Sequence, residues 1–116
     1  MKDEEKLAAH HAMFAKCAML RLMTLEHILH KFSQSNVDQI KVYPKDIHGV
    51  NKYQACRSMG DLAKGMNIYA QMSLTEEVDN TWWIVRKPTI KQIVEALNIA
   101  RTGGTCTSWN PDENID

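Results

Sequence analysis

The stretch from Asn51 to Lys64 holds the side chains best suited to reading another molecule. Lys52, Gln54, Arg57 and Ser58 are expected on the exposed side of one helix, with Tyr53, Cys56 and Met59 turned inward or sideways. Arginine and glutamine offer the hydrogen-bond patterns that match guanine and adenine edges in a major groove. Lys45, Lys64, Arg86 and Lys87 add cations able to grip phosphates, contacts that position a duplex without specifying its sequence. Between residues 41 and 91 eight Lys or Arg face five Asp or Glu, an excess of three positive charges. The whole chain balances, with 14 basic and 14 acidic residues, so no global field draws in nucleic acid. Any such attraction is local to this middle segment.

Other chemistries find less support. His10, His11, His27 and His30 fall on one N-terminal segment, and Glu26 stands four residues before His30. A zinc site needs three or four ligands, and bundle di-metal sites draw matched motifs from several helices. A single helix offers these residues, so no metal and no cofactor is expected. Trp82 and Trp83 are adjacent and must point to opposite faces of a strand, one toward a core. Stacking of single-stranded nucleic acid on them lacks the flanking basic and aromatic pattern of such binders. There is no GxSxG, Walker loop, HExxH or Gly-rich phosphate cradle, and the reading is non-enzymatic. Cys17, Cys56 and Cys106 are odd in number and form no CxxC, which points to free thiols in a reducing cytoplasm. The acidic start MKDEEK has no apolar stretch like that of a signal peptide, and no run is long enough to cross a bilayer.

The elements that must position these groups follow from hydrophobic spacing. Over residues 4–32, Leu7, His11, Phe14, Ala18, Leu22, Leu25, Leu29 and Phe32 recur at steps of three and four, the signature of one long helix. Met13, Cys17, Leu20 and Ile28 widen its stripe, and Asp3, Glu4 and Glu5 suit its N-terminal dipole. Such a helix exceeds the usual length of about 11–12 residues and calls for a large partner surface. Either the rest of the chain wraps it or a second copy packs on it; both are expected, with a homodimer through this helix. Residues 37–48 are short and mixed, with Pro44 placed to start a short helix over 44–48. Gly49 gives a turn, Asn51 caps the next helix, and Gly65 is expected at its C′ stop. Gly60 inside that helix is a weakness of roughly 1 kcal/mol relative to Ala. Alternation over 68–74 and the β-formers 81–85, separated by a polar turn at Glu76–Asn80, predict a β-hairpin over 67–87. Pro88 and Thr89 open a last helix carrying Ile90, Ile93, Val94, Leu97 and Ala100, stopped at Gly103 and Gly104. The polar tail 102–116 is expected to be mobile.

The fold class is therefore α+β, mostly α: a single domain over 1–101 with a tail. The segment PKDIHGVNKYQACRSMGDLAKGMNI, residues 44–68, resembles the winged helix-turn-helix regulators, in which a short helix, a Gly-Val turn, a polar cap and an Ala- and Arg-bearing helix lead into a wing. AKGMNI is similar to the step by which the reading helix passes into that wing. The resemblance covers about residues 40–100 at superfamily level. It implies a cytoplasmic regulator of transcription that binds double-stranded DNA as a homodimer. Lys45, Asn51, Lys52, Gln54, Arg57, Ser58, Lys64, Arg86 and Lys87 would then be its DNA-contacting set. The alternative is a small adaptor or inhibitor of phage or plasmid type that docks on protein through a Met- and Trp-rich surface.

Overall fold

A computed structural model describes residues 2–71 and 82–103. In chain order it contains helix α1 (Asp3–Gln34), strand β1 (Gln39–Val42), a 3₁₀ turn (Pro44–Asp46), helix α2 (Lys52–Leu62), strands β2 (Ile68–Gln71) and β3 (Trp82–Arg86), and helix α3 (Ile90–Thr102). The polar turn at Glu76–Asn80 and the tail beyond Gly103 lie outside the described residues. The class is α+β and mostly helical.

Two features of the expected layout are corrected. The sheet is three-stranded rather than a lone hairpin: β1 joins it, and the antiparallel order β1-β3-β2 puts β3 in the centre. The register pairs Ile40 with Val85 and Val42 with Trp83 on one side, and Ile68 with Val85 on the other. β1 is only four residues long and runs into Pro44, so its alternation was too short to stand out in the sequence. The short helix after it is also reduced. Pro44 does start a helical turn, but that turn ends at Asp46, and Ile47 is already extended.

α1 packs against both other helices, and its buried side follows one edge of the apolar stripe, taking Cys17, Leu20, Leu25 and Ile28 from it. The buried residues are Cys17, Leu20, Arg21, Thr24, Leu25 and Ile28. At 3.6 residues per turn these centre roughly a quarter-turn away from the line through Leu7, Phe14, Leu22 and Leu29. Two polar side chains share the buried side. Thr24 settles its hydroxyl by donating to the Leu20 carbonyl at 2.8 Å. Arg21 bridges three helices: its Nε donates to the Ala100 carbonyl at 3.0 Å, and Nη1 lies 3.9 Å from the Asp61 carboxylate. Burial weakens the hold of Arg21 on its proton, and the charge of Asp61 works against that.

Both later helices open on capping boxes. Asn51 Oδ1 accepts from the Tyr53 amide at 2.8 Å, while Gln54 Oε1 accepts from the Asn51 amide at 3.3 Å. Thr89 and Gln92 repeat the exchange at the start of α3. α2 buries Ala55, Met59 and Leu62 against a core that includes Leu25, Ile28, Val42, Val85 and Ala96. Gly65 is not a left-handed stop; the cap is Ala63 in the helical region. What Gly65 provides is clearance, since a Cβ there would come within 2.8 Å of Ile99 Cδ1 and 3.3 Å of the Ala96 backbone nitrogen. Gly49, at φ +80°, is the residue that needs glycine's conformational freedom.

Gly60 is different again, because a Cβ placed on it meets no atom within 4 Å. Gly60→Ala should therefore stabilise the fold by about 0.5–1 kcal/mol, through helix propensity and a less free unfolded chain. A urea titration comparing midpoints at unchanged slope checks this.

Cysteine usage is corrected too. Cys17 is disulfide-bonded, and Cys106 lies outside the described residues. Cys56 is free. The expectation of a cytoplasmic protein rested partly on three free thiols, and that basis is gone. Among the described residues no helix is long and apolar enough to cross a membrane.

Candidate nucleic-acid interface

α2 is the element around which the nine expected contact residues were drawn, and the structure divides them. Its buried side takes Ala55, Ser58, Met59, Asp61 and Leu62. Its outer side is a ridge of Tyr53, Arg57, Gly60 and, just past its end, Lys64, at steps of four, three and four. Ser58 is only 4% exposed, so the expectation that it shares the outer side is corrected. Tyr53 is corrected in the opposite sense: it is 62% exposed and stands on the ridge. The cause is local. Ser58 lies one turn before Leu62 and three residues after Ala55, which fixes it on the packed side.

Asn51 and Gln54 are spent on each other in the capping box, which ties them to holding the helix start. Lys52 is half-buried, with Nζ 5.5 Å from the centre of the Tyr53 ring. Arg57 is exposed at the mouth of a small crevice between α1 and α2 that is also lined by Leu20, Arg21 and Gln54. Lys64 is exposed in the turn that follows α2, where its amide donates to the Asp61 carbonyl at 3.2 Å. Lys52, Arg57 and Lys64 thus belong to α2 and its end.

The remaining cations belong to the sheet. Arg86 and Lys87 are exposed at the end of β3 that lies away from the hairpin connection. The Lys87 amide is pinned to the Asp38 carbonyl at 2.8 Å, and Arg86 Nε donates to the Tyr69 hydroxyl at 3.3 Å. Lys45 stands on the 3₁₀ turn with Nζ 5.8 Å from the Tyr43 ring centre. The nine residues therefore form an α2 group, a sheet group, a capping pair and one buried serine.

Adjacent tryptophans do diverge, as alternation requires. Trp83 packs on the core with its indole nitrogen buried, while Trp82 lies on the outer face beside Tyr43. Cys56 sits near Trp83; burial pushes its thiol up, and the indole pulls weakly the other way. A raised thiol is a poor nucleophile at neutral pH.

The histidines gather in part. Glu26, His27, His30 and His48 line one open groove with Met23 and Ile47. Among the described residues no group of three or more His, Cys, Asp or Glu is arranged to hold a metal ion. Burial lowers the pKa of His27, as do the charges of Lys31 and His30, while Asp46 acts in the opposite direction. Its Nε2 is buried without a partner. The unfolded chain binds this proton first, at about pH 6.5, so the stability contributed by neutral His27 is present above that value and lost as pH falls below it. Denaturant midpoints at pH 7.5 and 5.5 should differ in that direction, and His27→Gln should narrow the difference.

No family description matches this sequence, and no curated protein or solved structure matches the chain.

Proposed function

We propose that the protein binds double-stranded DNA as a homodimer and regulates transcription, with α2 as its reading element. The observation that carries this is the uncovered outer ridge of α2, where Tyr53, Arg57 and Lys64 flank the open notch at Gly60. A helix about 10–12 Å across fits a major groove about 12 Å wide. The opposite side of α2 is anchored by Met59, Leu62 and the Arg21–Asp61 pair, so the ridge is presented rigidly. The order of elements, with a short helical turn before α2 and the β2–β3 pair after it, supports the resemblance to winged helix-turn-helix regulators.

The partner copy would cover the part of α1 that the domain does not use. No described residue before Cys17 is buried, and Leu7, Phe14 and Met19 are exposed. Light scattering reports this association directly. Fluorescence anisotropy with labelled duplex fragments at two salt concentrations tests the DNA reading. Affinity must fall steeply with salt; a salt-independent or absent signal removes the proposal.

A second reading is favoured by α3, where Ile90 is 82% and Val94 61% exposed. These side chains suit docking on another protein without nucleic acid. Retained binding of duplex by Ile90→Ser, with loss of a protein complex, would separate that surface from α2.

A further inference from the structure

We propose that the outer face of the three-stranded sheet is a second nucleic-acid site that stacks unpaired bases, independent of the α2 ridge. The strand register builds it. Ile40, Val42, Ile68, Trp83 and Val85 turn toward the helices, so the alternate residues of each strand form the outer face. There Lys41 opposes Ile84, which in turn opposes Tyr69. In the neighbouring row Tyr43 meets Trp82, with ring centres 6.4 Å apart and planes at 45°. Three aromatic rings thus share one side of a short sheet.

Cations rim these rings. Lys41 Nζ lies 5.0 Å from the Trp82 ring centre, Lys45 Nζ 5.8 Å from that of Tyr43, and Arg86 Nε 3.3 Å from the Tyr69 hydroxyl. The sequences of the strands, QIKV, IYAQ and WWIVR, contain no carboxylate. Cations over rings are also how a sheet shields exposed aromatics from water. One fact points beyond shielding: every ring on this face has a cation beside it, so a strand laid over the rings would meet positive charge at each of them. A lysine over an exposed ring is a weak contact. A base can take its place on the ring while the ammonium turns to the backbone, and stacking of this kind accepts any base.

The occupant is therefore a short single strand, two or three nucleotides of DNA or RNA, running from Trp82 toward Arg86. The carboxylates Glu76, Glu77 and Asp79 precede Trp82 in the chain and lie outside the described residues.

The test is fluorescence anisotropy on the full chain with labelled twelve-nucleotide thymidine and uridine oligomers, an abasic phosphodiester of equal length, and a duplex, all at low salt. Both base-bearing strands should bind more tightly than the abasic one. Tyr69→Ala and Trp82→Ala should each weaken that binding roughly five- to a hundred-fold. Lys41→Gln should reduce the salt slope by about 0.7. Preference for one of the two oligomers tells DNA from RNA. Tyr69 is 41% exposed, so its alanine variant remains informative if the tryptophan variant unfolds by circular dichroism. Equal binding of the abasic strand, indifference to Tyr69→Ala, or binding of duplex alone overturns the proposal.

Discussion

Asp61→Asn should lower the unfolding free energy by about 3 kcal/mol, because it removes the carboxylate charge beside a buried guanidinium. Asp61 and Arg21 are 2% and 4% exposed, and their side chains approach at 3.9 Å. Removing one partner leaves the other charge out of water without its counter-charge, whereas the intact pair adds little net stability over an apolar replacement. The expected drop in melting temperature is about 12–24 °C for a domain of this size. Thermal unfolding by circular dichroism measures it. The double variant Arg21→Met with Asp61→Leu should recover most of the loss, since it removes both charges and fills similar volume. A drop below a few degrees in the single variant would mean that the pair does not hold the three helices together. Because Arg21 also donates to Ala100 at the end of α3, the single variant should loosen α3 as well as α2.

The second large effect concerns the α2 ridge. Arg57→Ala should cost duplex affinity about 1–3 kcal/mol if the guanidinium reads a base, and should relax sequence preference at one position. Lys64→Ala should weaken all duplexes alike and reduce the salt slope by about one. Both side chains are exposed, so neither change should move the melting temperature by more than surface substitutions do. The pattern separates the roles: preference lost in one variant, salt dependence in the other. Competition anisotropy against a panel of duplexes, at two salt concentrations, supplies both numbers. Equal affinity of both variants and wild type removes α2 as the reader. Gly60→Ala adds a check. It should raise stability yet impair binding if the notch admits DNA closely.

The sequence carried the helices well because their signals are local. α1 was expected over 4–32 and spans 3–34; Asn51 was legible as a cap and Thr89 as opening the last helix, and both close capping boxes. β1 escaped because four residues give two alternations, and its partner β3 is more than forty residues away in the chain. The candidate site was legible in its residue types but not in its grouping. Ser58 looked available because a hydroxyl suggests the solvent side, although its spacing to Ala55 and Leu62 places it on the packed side of α2. Arg21 and Thr24 were invisible for the related reason that polar residues in an apolar core are placed by tertiary partners. The aromatic face of the sheet needed register. Tyr43, Tyr69 and Trp82 are scattered in sequence and become neighbours only when β1 and β2 flank β3.

The first half of α1 carries a thermodynamic condition of its own. Residues 3–16 form about four turns of helix in which no residue is fully buried, a length at which an isolated helix in water is marginal. Whatever settles on Leu7 and Phe14 also supplies the free energy that keeps those turns wound. Were the proposed second copy what settles there, winding and assembly would be one equilibrium, and diluting the protein would unwind the end of the rod as it separates the copies.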